Sequence, residues 1–169
     1  MRGTGSRGER LRLAAVLLML VVLHFSVRSR LGDPRVAPDF LLLALLVYAV
    51  RAAPGPAAVA GFLFGLLTDA LNPIGFGSGA LAHTVVGFVA AWGKAVFFAE
   101  NLIVSGVVFF VGTWLRNVIV LAATGALKGE VLWWTLGVWA PLQGLTTALV
   151  GIVVLWVFRR WLAIRLGEA

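Results

Sequence analysis

The long apolar runs of this chain carry almost no charge, and that constrains its fold more than any motif does. Of 169 residues, 61% are hydrophobic and 12% are charged, where a soluble domain carries about 25% charged residues. With so little charge spread along the whole length, the reading is an all-α, polytopic membrane protein forming one integral membrane domain, 1–169, in contact with membrane lipid. The net charge of +7 comes from arginines that sit mostly at the ends of apolar runs, where they anchor and orient helices. No basic stripe interleaved with aromatics tracks a phosphate backbone, so nucleic acid is not an expected partner. The chain has no cysteine, which removes disulfides and thiolate metal sites.

The runs predict six transmembrane helices near 11–27, 37–52, 57–71, 78–93, 101–124 and 136–158. The first follows a basic flank without a small-x-small cleavage site, so it is expected to stay as a helix. The second is short between Asp39 and Arg51 and needs its flanks to reach across a ~30 Å hydrocarbon core. Ala53-Pro-Gly-Pro56 reads as a tight turn. Six spans place both termini, with Arg2 and Arg7 at one end and Arg159, Arg160 and Arg165 at the other, in the cytoplasm. Nine basic residues then lie inside and four outside, Lys128 among the latter. Trp133, Trp134 and Trp139 mark the outer end of the last helix and Trp156 and Trp161 its inner end.

Two polar features interrupt this pattern, Asp69 at the end of the third run and Arg116 inside the fifth. In that topology Asp69 lies ~18 Å and Arg116 ~22 Å along outward-running helices. Asp39, Asp69, Asn72, His83, Arg116 and Asn117 therefore share the outer half of the bilayer. An Asp69–Arg116 pair would offset the cost of both charges. The cluster reads as a polar pin fixing helix order, a ligand or proton site, or side chains snorkelling to the interface. His83 reads as a hydrogen-bonded packing residue, and His24 as interfacial. Small residues form two faces, Gly61 with Gly65, and Gly144, Thr147, Ala148 and Gly151, suited to helix packing or to docking a partner helix.

Catalytic motifs fail. Gly87 to Lys94 has the wrong glycine spacing for a phosphate loop and no Ser or Thr after the lysine. Gly75-Phe-Gly-Ser-Gly79 does not follow a strand, so it reads as an outer turn. No catalytic, metal or cofactor-binding residues are expected, and the chain is read as non-enzymatic.

Ala37-Pro-Asp39-Phe-Leu-Leu-Leu-Ala-Leu-Leu-Val-Tyr48, Gly61-Phe-Leu-Phe-Gly65 and Asp69-Ala-Leu-Asn-Pro-Ile-Gly75-Phe-Gly-Ser-Gly79-Ala-Leu-Ala82 together resemble the rod shape-determining MreD family. The resemblance extends over nearly the whole chain in length and layout, and Asp69 to Ala82 is its most specific part. The chain departs from the pattern at Phe76-Gly-Ser, where something closer to Leu-Gly-x-His-Ala is expected; its histidine falls later, at His83. The resemblance implies a scaffold of the bacterial elongation machinery for peptidoglycan synthesis and cell shape, in the inner membrane. It would bind MreC and work with RodA and a penicillin-binding transpeptidase, directly or through MreC, and with MreB indirectly. The family is also similar in fold to the substrate-binding subunits of energy-coupling-factor transporters. The alternative is therefore a binding subunit of a small-molecule (vitamin) transporter.

Overall fold

The computed structural model describes residues 7–71, 75–97, 102–126 and 129–158. Asn72, Lys128, Trp161 and the terminal arginines Arg2, Arg159, Arg160 and Arg165 lie outside the described residues. The described chain is all helical: α1 (Arg7–Ser26), a short 3-10 turn (Arg28–Arg30), α2 (Phe40–Ala49), α3 (Pro54–Leu71), α4 (Ser78–Phe97), α5 (Leu102–Ala123) and α6 (Gly129–Phe158). Two of these, Leu102–Ala123 and Gly129–Phe158, are long and apolar enough to cross a membrane.

The organising element is α2. Every residue of Phe40–Ala49 except Tyr48 is buried, because α1, α3, α4, α5 and α6 all pack against it. A helix that is apolar all round has no face for water and belongs inside. Its ten residues rise only ~15 Å, so the flanks at 36–39 and 50–53 are not recruited into helix as the sequence reading required. Length ceases to matter once protein surrounds a helix, because neighbouring protein, and not lipid, meets its ends.

Other boundaries moved for local reasons. Pro54 does not stop the chain: it opens α3, since a first-turn proline has a preset φ and its missing N–H would have no intrahelical partner there. The helix α4 runs on to Phe97, past its expected end near 93. In α6, Pro141 cannot donate to the carbonyl four residues back, and its ring crowds that carbonyl. The helix widens just before it into a π turn, Thr135–Trp139, where the Ala140 N–H donates to the Thr135 carbonyl.

The outer faces of the bundle are apolar. Phe62, Leu63, Leu81, Phe88, Ile103, Val107, Leu145, Leu149 and Val153 are among the large side chains left exposed. The interior holds the polar residues His24, Asp39, Asp69, His83, Thr113, Gln143 and Thr147.

Candidate functional site

Asp69 is 4% exposed, and all its partners are backbone. Its Oδ1 accepts from the Gly79 N–H at 2.9 Å, and its Oδ2 accepts from Gly77 at 3.0 Å and Ala80 at 2.9 Å. These are orphan donors at the start of α4, where the helix dipole also favours negative charge. The glycines make this geometry reachable. Gly75 and Gly77 take φ of +80° and +97°, open to glycine at little cost, and a side chain on Gly79 would run into the Asp69 carboxylate. His83, four residues further on, is 0% exposed and pairs through Nδ1 with the Gly79 carbonyl at 2.8 Å. A carbonyl only accepts, so Nδ1 carries the proton.

The expected Asp69–Arg116 pair does not form. Arg116 faces Asp39 instead, with Nε 3.8 Å from Asp39 Oδ2. The physical reason is azimuth. Position along an axis gives height in the bundle but not the direction a side chain points, and Asp69 is already saturated by N–H groups. Asp39 is 1% exposed and caps α2, its Oδ1 accepting from the Leu42 N–H at 3.0 Å. His24 Nδ1 lies 3.8 Å from the same oxygen. That histidine was read as interfacial; it is buried at the end of α1. Both 3.8 Å approaches exceed hydrogen-bond length; that of Arg116 is a charge contact, and that of His24 is a polar approach.

A second chain of bonds ties α6 to this corner. The Asp39 N–H donates to Thr147 Oγ1 at 3.1 Å, and Thr146 Oγ1 donates to the Val36 carbonyl at 2.6 Å. Gln143 Nε2 donates to the Ala37 carbonyl at 3.3 Å, while its Oε1 accepts from Asn117 Nδ2 at 2.9 Å. Asn117 Oδ1 in turn accepts from Arg116 at 3.0 Å. Five of the six predicted cluster residues are described. Asp69 belongs to the α3–α4 turn, Asp39, Arg116 and Asn117 to the corner of α1, α2, α5 and α6, and His83 stands between them, bonded to Gly79 and in the field of Asp39 and Arg116. Sequence reasoning missed Gln143 and Thr146, and placed His24 at the interface. Gln143 was visible as an amide in the middle of an apolar run, but it carries no charge and was passed over.

Beside this corner lies a half-open cavity of about 460 Å³, lined among others by His24, Arg28, Arg35, Arg116, Asn117 and Gln143. Arg35 is clamped to Asp33 through Nε and Nη2 and stacks over the Trp139 ring, 4.3 Å from its centroid. The hydrogen bonds from Arg35 hold the Asp33 carboxyl below the usual carboxylate range. Arg28 donates to the Pro34 carbonyl at 3.3 Å.

Both small-residue faces lie against neighbouring helices of the chain itself. A side chain on Gly61 would strike the His83 carbonyl, and one on Gly65 the Ala80 backbone. On α6, Gly144 sits against Phe110 and Gly151 against Phe109, with Thr147 and Ala148 also buried. A separate apolar groove of about 220 Å³ opens between α4 and α5. Val86, Val89, Val107, Val111 and Leu115 form its walls, and Leu46 and Gly112 are among its lining residues. Comparison with protein-family models, curated proteins and solved structures gives no match.

Proposed function

We propose that this chain is a multi-pass protein of the bacterial inner membrane, with six spans and both termini in the cytoplasm. Within that class we infer a non-enzymatic scaffold of the cell-elongation machinery, of the MreD type, that binds MreC. Through MreC or directly it would work with RodA and a penicillin-binding transpeptidase, and indirectly with MreB.

The membrane part of this reading draws support from the inverted distribution of side chains, with large apolar groups on the outer faces and polar groups inside. The α4–α5 groove is the observation that carries the scaffold part. It is open, lined by aliphatic side chains and reaches Leu46 of the central helix, as suits the side chains of a partner helix crossing in lipid. The two small-residue stripes are occupied by α3–α4 and α5–α6 packing, which leaves the groove as the docking surface. Both carboxylates of the expected cluster cap helices, a structural task and not a catalytic one.

A specific observation favours a second reading, a substrate-binding subunit of a small-molecule transporter: the polar cavity beside Arg116. Affinity purification of the tagged chain from its native membrane separates the two. Recovery of MreC with the wall synthases is the expected result. Recovery of a coupling subunit with paired ATPases would replace the first reading by the second.

A further inference from the structure

The cavity by Arg116 gathers positive charge from three separate parts of the chain. Arg28 comes from the 3-10 turn, Arg35 from the loop before α2 and Arg116 from α5. Three guanidinium groups meet two carboxylates, Asp33 on Arg35 and Asp39 near Arg116. Among the described residues Arg28 makes no close ion pair; it lies in the field of Asp39 and donates to the Pro34 carbonyl. Arg28 Nε is buried without a hydrogen-bond partner, while Arg116 Nε and His24 Nδ1 meet only Asp39, at 3.8 Å, beyond hydrogen-bond length. His24 is more than nine-tenths buried and lines the cavity. A buried guanidinium donor with no partner, beside a second held only by a long contact, calls for a further acceptor.

We propose that this cavity binds an anionic phosphoryl group, carried either by a membrane lipid or by a soluble phosphate ester. A planar carboxylate presents two oxygens in one plane, which a single guanidinium fork matches. Donors arriving from three directions suit a tetrahedral oxyanion with several free oxygens. Asn117 and Gln143 extend the polar wall, and Val120, Ala140 and Trp139 provide an apolar side for the organic part of the ligand. At about 460 Å³ the space exceeds a lone phosphate and falls in the range of small-molecule sites. The site stands on the cavity alone and does not require the scaffold reading.

The test uses the full chain in neutral detergent, with native mass spectrometry and thermal melting as readouts. Dioleoyl phosphatidic acid, dioleoyl phosphatidylcholine and inorganic phosphate are the probes. Phosphatidic acid should be retained at least about tenfold more tightly than phosphatidylcholine, and Arg28→Gln should erase about that factor. Arg12→Gln, an exposed arginine on α1, controls for general attraction and should leave binding unchanged. Displacement of the lipid by inorganic phosphate assigns the site to the phosphoryl group from either source; retention of the lipid against it assigns a lipid. If Arg28→Gln does not fold, Arg28→Lys keeps the charge without the fork and should bind more weakly than wild type. Equal retention of both lipids with no stabilisation by phosphate would overturn the proposal. So would equal weakening by Arg12→Gln and the Arg28 variant.

Discussion

Asp69 and Asp39 are both buried carboxylates at helix starts, and they are held in opposite ways. Asp69 has three backbone N–H partners within 3.0 Å, whereas Asp39 combines a capping bond with a longer charge contact to Arg116 and an approach of the same length by His24. Hydrogen bonds to a charged group contribute ~1.5–3 kcal/mol each. Asp69→Ala should therefore lower the melting temperature in detergent sharply, and adding Arg116→Leu should not restore it. Asp39 behaves differently. Arg116→Leu strands its charge at a cost of about 3–5 kcal/mol, and Asp39→Asn on top of it should recover part of the loss. A double-mutant cycle read by thermal melting measures both couplings; recovery in the Asp69 cycle would contradict the geometry. The two carboxylates were legible in the sequence because charge is rare in these runs. Their partners were not, since sequence spacing gives height along an axis without azimuth. The donors that hold Asp69 are also main-chain groups, which no side-chain letter announces.

Helix existence was legible at all six apolar runs, because uncharged stretches of that length have few alternatives. Helix ends were less so. The Pro54-Gly-Pro56 segment carries the residues of a turn and those of a helix start at once, and α3 takes the second option. The shortness of α2 looked like a mismatch with a bilayer; five neighbours remove the mismatch. The small-residue motif on α3 was legible, and its contact partner follows from the close α3–α4 approach. Gly65→Val puts a side chain onto the Ala80 backbone, which cannot yield as a flexible side chain can. A loss of about 1–3 kcal/mol or more is expected, seen as a fall in monodisperse yield. Gly55→Ala, with open space around it, should leave that yield unchanged.

At the scale of the whole molecule, chain ends alternate. The end of α1, the start of α2, the middle of α6 and the second half of α5 meet around Asp39. At the opposite end Ala49, Ala57 and Ala91 pack together. Consecutive helices therefore run up and down, and a bundle with apolar outer faces and alternating helices fits six crossings of a bilayer. This layout underlies the proposed MreC-binding reading, under which the mouth of the cavity would face outward. The polar interior was anticipated as a single cluster; its hydrogen bonds form two groups, one at the α3–α4 turn and one around Asp39, with His83 between them. The natural absence of cysteine makes the layout directly measurable by single-cysteine labelling with a membrane-impermeant maleimide in cells with a permeable outer envelope. Cysteines at Leu31, Phe76 and Ala126 should label from outside, and those at Ala53 and near either terminus only after the inner membrane is opened. Labelling of Ala53 from outside, or protection of Phe76, would contradict the six-span account.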